Sequence, residues 1–268
     1  MENKLLFILC TIILFLGGCQ KEENSNGCYC DEGLDLLNSY MHMPRPADSY
    51  NYPIRPCINQ WKKLTSTEKK IKACQIPVDR LENMSTQAVI QALWEYPFFT
   101  EPVSEVGNRN LQNDFETIFH NNAAYKNLIS RGDAGTCLLY RYKLVDAISP
   151  KYNFHPIALE LLFSQPYFLS QLNTKEKKEL VIAVFEKERL RMNHEASCRA
   201  KQRTTIMFMG RIMMNVNYQP FVDVVNNNIQ FKRFIDNSIP YLETDEQYIE
   251  LSKIINDNFT EFTRIINL

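Results

Sequence analysis

From residue 57 to the C-terminus, glycine occurs at only four positions: Gly107, Gly132, Gly135 and Gly210. So few permissive residues leave little room for tight hairpin turns. Strand-like alternation of apolar and polar residues is almost absent, and helix starts are marked instead. Thr65-Ser66-Thr67-Glu68 and Thr244-Asp245-Glu246-Gln247 read as capping boxes. Asn173 is placed to cap with Glu176, Ser85 to cap a helix holding Ala88 to Trp94, and Pro77 fits a first helical position. Near the C-terminus, Tyr248, Leu251, Ile255, Phe259, Phe262 and Ile266 step by three or four residues, one apolar stripe on an amphipathic helix. Leu180 to Phe185 is apolar on all sides, which predicts a buried central helix. Ile206 to Met214 is similar, interrupted only by Gly210 and Arg211. The expected fold class over 57–268 is all-α.

Three apolar helices end in a related way. Trp94-Glu95-Tyr96-Pro97-Phe98-Phe99, Phe163-Ser164-Gln165-Pro166-Tyr167-Phe168 and Asn217-Tyr218-Gln219-Pro220-Phe221 each place aromatics after a proline that stops the helix. Recurrence of this kind predicts stacked helical hairpins of the HEAT or armadillo type. Its uneven spacing leaves an irregular helical bundle as the alternative.

The N-terminus carries a separate message. An apolar run of 12 residues, Leu5 to Leu16, follows Lys4 and closes in Leu16-Gly17-Gly18-Cys19. It fits a signal-peptide apolar region of about 7–15 residues. It is shorter than the roughly 20 residues a spanning helix needs. The segment resembles a bacterial lipoprotein signal with its lipobox. That resemblance implies cleavage before Cys19, diacylglycerol on the Cys19 sulfur and often acylation (palmitate) of the new amine. More than one acyl chain matters, because one alone holds a protein only marginally. Gln20-Lys21-Glu22-Glu23 resembles the surface-export signal of Bacteroidetes lipoproteins. The stretch from Ile76-Pro77 through Met84-Ser85-Thr86 to Tyr96-Pro97 is also similar to lipoproteins of that group, and no functional residue is carried over from it. The implied location is the cell envelope, at the outer membrane or cell surface rather than the inner membrane.

Residues 20–56 read as a spacer. Gln20 to Gly27 is polar, and Met43 to Pro56 holds Pro44, Pro46, Pro53 and Pro56, which favour extended backbone. The expected organisation is therefore a signal peptide at 1–18, a lipid-anchored, Pro-rich tether at 19–56 and a helical domain at 57–268.

Removing residues 1–18 from 268 leaves 250, enough for a sizeable core. Lys and Arg number 30 against 31 Asp and Glu, so there is no overall attraction to nucleic acid. Apolar content of 45% excludes general disorder. After Cys19, cysteines stand at 28, 30, 57, 74, 137 and 198. Export makes disulfides the expectation, with the pairing left open. Cys28-Tyr29-Cys30 lacks the second ligand pair of a zinc site. Cys137 and Cys198 fall in apolar helical runs, where a thiol acts as a small hydrophobe.

No reaction is written in the chain. His194-Glu195 begins like a zinc-protease helix, but Cys198 stands where the second His belongs. His42, His120 and His155 are far apart, and Gly132-Asp133-Ala134-Gly135 is too short for a phosphate loop. Arg131-Gly132-Asp133 matches an adhesion tripeptide, yet a helix end followed by an Asp cap explains it locally. Met207, Met209, Met213 and Met214 read as core packing rather than a copper site. Arg189, Arg191, Arg199, Lys201, Arg203 and Arg211 read as a solvated helix face, with an anion site as the alternative. No catalytic, cofactor-binding or metal residue is assigned, and Cys19 is the one site, for lipid attachment. Two functions follow as expectations. The first is a non-enzymatic, envelope-anchored domain that binds a partner protein, which predicts a groove lined by exposed aromatics. The second is a glycan-binding accessory or an enzyme, its site assembled from Trp61, Trp94, His120, Arg131 and Tyr140.

Overall fold

The computed structural model describes residues 31–104, 110–148, 154–192, 199–237 and 245–267. Sixteen helices and no strand occur among these residues. In chain order they are α1 (Asp31–Ser39), α2 (Asn59–Lys63), α3 (Thr67–Ala73), α4 (Val78–Glu82), α5 (Thr86–Trp94), α6 (Glu101–Ser104), α7 (Leu111–Phe119), α8 (Ala123–Ile129), α9 (Ala134–Leu144), α10 (Phe154–Phe163), α11 (Pro166–Gln171), α12 (Thr174–Met192), α13 (Arg199–Asn215), α14 (Gln219–Asn226), α15 (Ile229–Asn237) and α16 (Asp245–Asn267). The fold is all-α. None of the described helices is long and apolar enough to cross a membrane.

Local signals fixed many boundaries. Ser85 accepts from the Ala88 N–H at 3.2 Å. Asn173 and Glu176 form a reciprocal box, with Glu176 N–H to Asn173 Oδ1 at 3.0 Å and Asn173 N–H to Glu176 Oε2 at 2.9 Å. The cap of α3 is Ser66, accepting from the Lys69 N–H at 3.3 Å, one residue later than the Thr65 box implied. Thr244 lies outside the described residues. Pro166 and Pro220 do more than stop helices: each sits at the start of the next one, where a missing N–H is harmless. The stop after α13 is made by Asn217, at φ 54°, with Tyr218 N–H bonded to Met213 O and Asn217 N–H to Met214 O. Phe168 and Phe221, the aromatics that follow these prolines, are fully buried.

The helix α13 is the axis of the molecule. It packs on α6, α10, α11, α12, α14, α15 and α16. In a solenoid each repeat touches only its neighbours. Here α13 touches the three helices on either side of it in sequence and reaches back to α6, so the all-α chain gathers about one helix. The α10 helix is buried along its whole length, as an almost wholly apolar sequence requires. Met207, Met209 and Met213 lie in the core, and the α16 stripe Leu251, Ile255, Phe259 and Phe262 is buried on the α13 side.

The expected tether needs correcting from residue 31 onward. Leu37, Met41 and Tyr52 are core residues, and Asp31–Ser39 is helical. Met43 to Pro56 is non-helical, as its prolines require, but it is clamped down. Arg45 forks onto the buried Glu95 carboxylate, Nε to Oε1 at 2.8 Å and Nη2 to Oε2 at 2.9 Å. Tyr52 donates to Ala92 O at 2.9 Å, and Asp48 accepts from the Ser85 N–H at 2.5 Å. Proline spacing marks the stretch as extended, but what holds it down comes from partners forty and fifty residues away, Ala92 for Tyr52 and Glu95 for Arg45. Residues 19–30 lie outside the described residues.

Candidate functional site

A groove of about 540 Å³ opens where α7, α11, α13 and α15 meet. Its walls come from rigid elements. Gln112 of α7 and Gln165, just before α11, face each other through paired carboxamides, Gln112 Nε2 to Gln165 Oε1 at 3.0 Å. Arg211 of α13 braces the far wall. It donates to Ile235 O at 2.8 Å, Asp236 O at 2.7 Å, Gln112 Oε1 at 2.9 Å and Ser164 Oγ at 3.0 Å. Burial pushes Arg211 down to about 10, so it stays charged at neutral pH. Leu169, Met214 and Ile235 supply apolar lining, and Tyr167 stands 61% exposed at the rim. Glu116 accepts from Gln112 at 3.0 Å, and Asp236 is paired with Lys232 at 2.5 Å. With Asp236 paired to Lys232 and the Glu116 carboxylate acting on the Arg211 guanidinium, the groove carries charges of both signs. It suits a ligand that presents apolar surface and neutral hydrogen-bonding groups.

The residues proposed from sequence for a composite site are not brought together. Trp94 is core, its ring 5.1 Å from that of His155 and tilted 60° to it. Trp61 packs on Phe98 at 5.8 Å with Lys70 over its ring. His120 is exposed at the end of α7, and Tyr140 is 54% exposed on α9. Arg131 is tied to Asn127, Thr86 and Leu81 O. None of the five lines the groove, and they build no composite site there. The adhesion tripeptide is likewise structural: Asp133 occupies the cap position of α9, but its carboxylate accepts from Thr86 at 2.7 Å.

The basic region also reads differently in three dimensions. Arg191, Arg203 and Arg211 are buried rather than solvated, whereas Arg189 is exposed. Arg191 reaches Glu160 at 2.7 Å, Thr205 at 3.0 Å and Ala147 O at 3.0 Å. Arg199 and Lys201 have no described side chains. The His194-Glu195 motif and Cys28, Cys30 and Cys198 lie outside the described residues. Cys57 is disulfide-bonded, whereas Cys74 and Cys137 are free thiols. Burial pushes Cys74 up to about 12 and Cys137 up to about 11, which keeps both protonated and unreactive at neutral pH. Among the described residues no group of three His, Cys, Asp or Glu side chains gathers to hold a metal.

Sequence reasoning missed the groove entirely. Its signal is faint: the motif Gln-Pro-aromatic at 165–167 was recognised as a helix end, not as a wall. It also missed the lysines Lys62, Lys63, Lys69, Lys70 and Lys72, gathered on two short helices of a chain with near-zero net charge. No family model, curated protein or solved structure matches the chain.

Proposed function

We propose that this chain is an exported, lipid-anchored helical domain that binds a partner protein, held at the outer membrane or cell surface through Cys19. The observation that carries the binding reading is the groove with Tyr167 at its rim. An aromatic body with a polar tip, set beside apolar lining from Leu169 and Met214, has the composition of an interface anchor. The groove is walled by helices, so little ordering is needed on binding. The anchoring reading rests on Leu16-Gly17-Gly18-Cys19. The disulfide at Cys57 agrees with it, because disulfides persist in oxidising compartments. No nucleic-acid partner and no cofactor enter this reading.

A neutral glycan is the second reading. The exposed Tyr167 ring lies in one groove with the Asn215 carboxamide and the Glu116 carboxylate, an aromatic face beside groups that bond hydroxyls.

Two measurements test the proposal. Metabolic labelling with a palmitate analogue should mark the native chain and not Cys19→Ala. A photoreactive residue at Asn215 should capture one envelope protein, with capture reduced by Tyr167→Ala and unchanged by Tyr140→Ala. Equal loss from both tyrosine variants would sink the groove as the binding site. Saturable binding of an oligosaccharide, abolished by Tyr167→Ala, would move the assignment to the glycan.

A further inference from the structure

We infer that the face built by α2 and α3 docks on an anionic lipid surface; the inference rests on the lipid-anchored reading above. Five lysines, Lys62, Lys63, Lys69, Lys70 and Lys72, fall within eleven consecutive residues, and Glu68 is the one acidic residue among them. Lys62, Lys63, Lys69 and Lys72 are exposed. Ile71 turns inward and packs against the core, which leaves the lysines of α3 on the outward side. Between the two helices, Trp61 is half-buried, resting on Phe98 while Lys70 sits over its ring at 5.2 Å. Lysines around a partly exposed indole match the headgroup zone, where tryptophan and basic side chains are both favoured.

A lipid surface is preferred over an acidic protein or polyanion because of where the face lies in the chain. It begins two residues after the disulfide-bonded Cys57, and among the described helices only α1 is nearer in sequence to Cys19. An acyl anchor alone binds weakly, and a basic patch is a recognised second signal for stable attachment. The chain as a whole carries a net charge of −1, so attraction to an anionic surface must come from local basic faces such as this one. Docking there fixes the orientation of the domain on the bilayer.

The chain has two tryptophans, and Trp94 is in the core, so Trp61 is the reporter. The full lipidated chain is reconstituted into vesicles containing brominated lipid, and tryptophan emission is read. Quenching in phosphatidylglycerol vesicles, absent in phosphatidylcholine vesicles and reversed by added salt, is the expected result. Lys62→Glu/Lys63→Glu/Lys69→Glu/Lys72→Glu should lower that quenching at least roughly tenfold, with helix content by circular dichroism unchanged. Trp61→Phe should abolish it. Equal quenching in neutral vesicles, or persistence in Trp61→Phe, overturns the inference. So does binding to soluble heparin with no response to either vesicle. Flotation of the same samples separates the two claims. A chain that floats with neutral vesicles but is never quenched keeps the anchor and refutes docking. One that floats only with anionic vesicles and is quenched there keeps docking and refutes the anchor.

Discussion

Arg191 donates to Glu160 at 2.7 Å in the interior, and Glu160 also accepts from Tyr142 at 2.8 Å and Thr205 at 2.7 Å. One fully buried carboxylate thus joins α9, α10, α12 and α13. Removing a single member of a buried pair strands the other charge, at a cost of about 3–5 kcal/mol. Glu160→Leu should lose stability on that scale in urea unfolding. Glu160→Leu combined with Arg191→Met should lose clearly less than the sum of the two singles. Additive losses would show that the pair is not energetically coupled.

His155 sits between Trp94 and Phe99, and burial pushes it down to about 3. The unfolded chain binds a proton near the usual histidine value of about 6.5. Between these values the unfolded state holds more protons, so stability falls as pH drops from about 6.5 towards 3. His155→Phe should flatten that part of the stability profile. An unchanged slope would assign the acid sensitivity elsewhere.

Glu188 behaves in the opposite sense. Burial pushes its carboxyl up to about 7, with Arg191 opposing and Glu160 adding to the shift. The folded state therefore holds the extra proton, and stability from this group falls as pH rises from about 4.5 to 7. Glu188→Gln should remove that decline and leave the molecule more stable at pH 8 than the native chain. Chemical denaturation at pH 5 and pH 8 reads the difference directly.

Two helical glycines should respond differently to alanine. A Cβ on Gly135 would lie 2.5 Å from Phe168 O and 3.0 Å from Gln171 Cβ, so backbone of α11 would have to move. Gly135→Ala is expected to cost about 1–3 kcal/mol. At Gly210 the obstacle is the Cδ1 end of the flexible Ile235 side chain. Its relocation, together with the better helix propensity of alanine, worth about 1 kcal/mol, should leave Gly210→Ala near native stability. Thermal unfolding of the two variants makes the comparison.

What the sequence revealed and what it hid have a common cause. Ser85, Asn173 and Glu176 could be read because a helix cap involves residues three apart. The α16 stripe and the methionines of α13 were legible because one helix supplies the whole pattern. Arg191 and Arg211 were misread because their acceptors come from other elements: Glu160 and Ala147 O for one, Gln112, Ser164 and Ile235 O for the other. The same holds for Arg45, whose partner Glu95 is fifty residues away. A run of prolines looks like a spacer until that partner is known. The groove is harder still, since Gln112, Gln165 and Arg211 have no shared periodicity to betray them.

The position of α13 sets how such a protein can change over time. A repeat array lengthens by copying a unit, and each copy brings its own interface. Here the described side chains of α13 from 203 to 213 are all buried, so a duplicated hairpin would have to displace a neighbour already packed there, and a deleted one would strip the axis bare. Variation in size is therefore confined to the ends and the connecting segments, while the interior must evolve by substitution within a fixed set of neighbours.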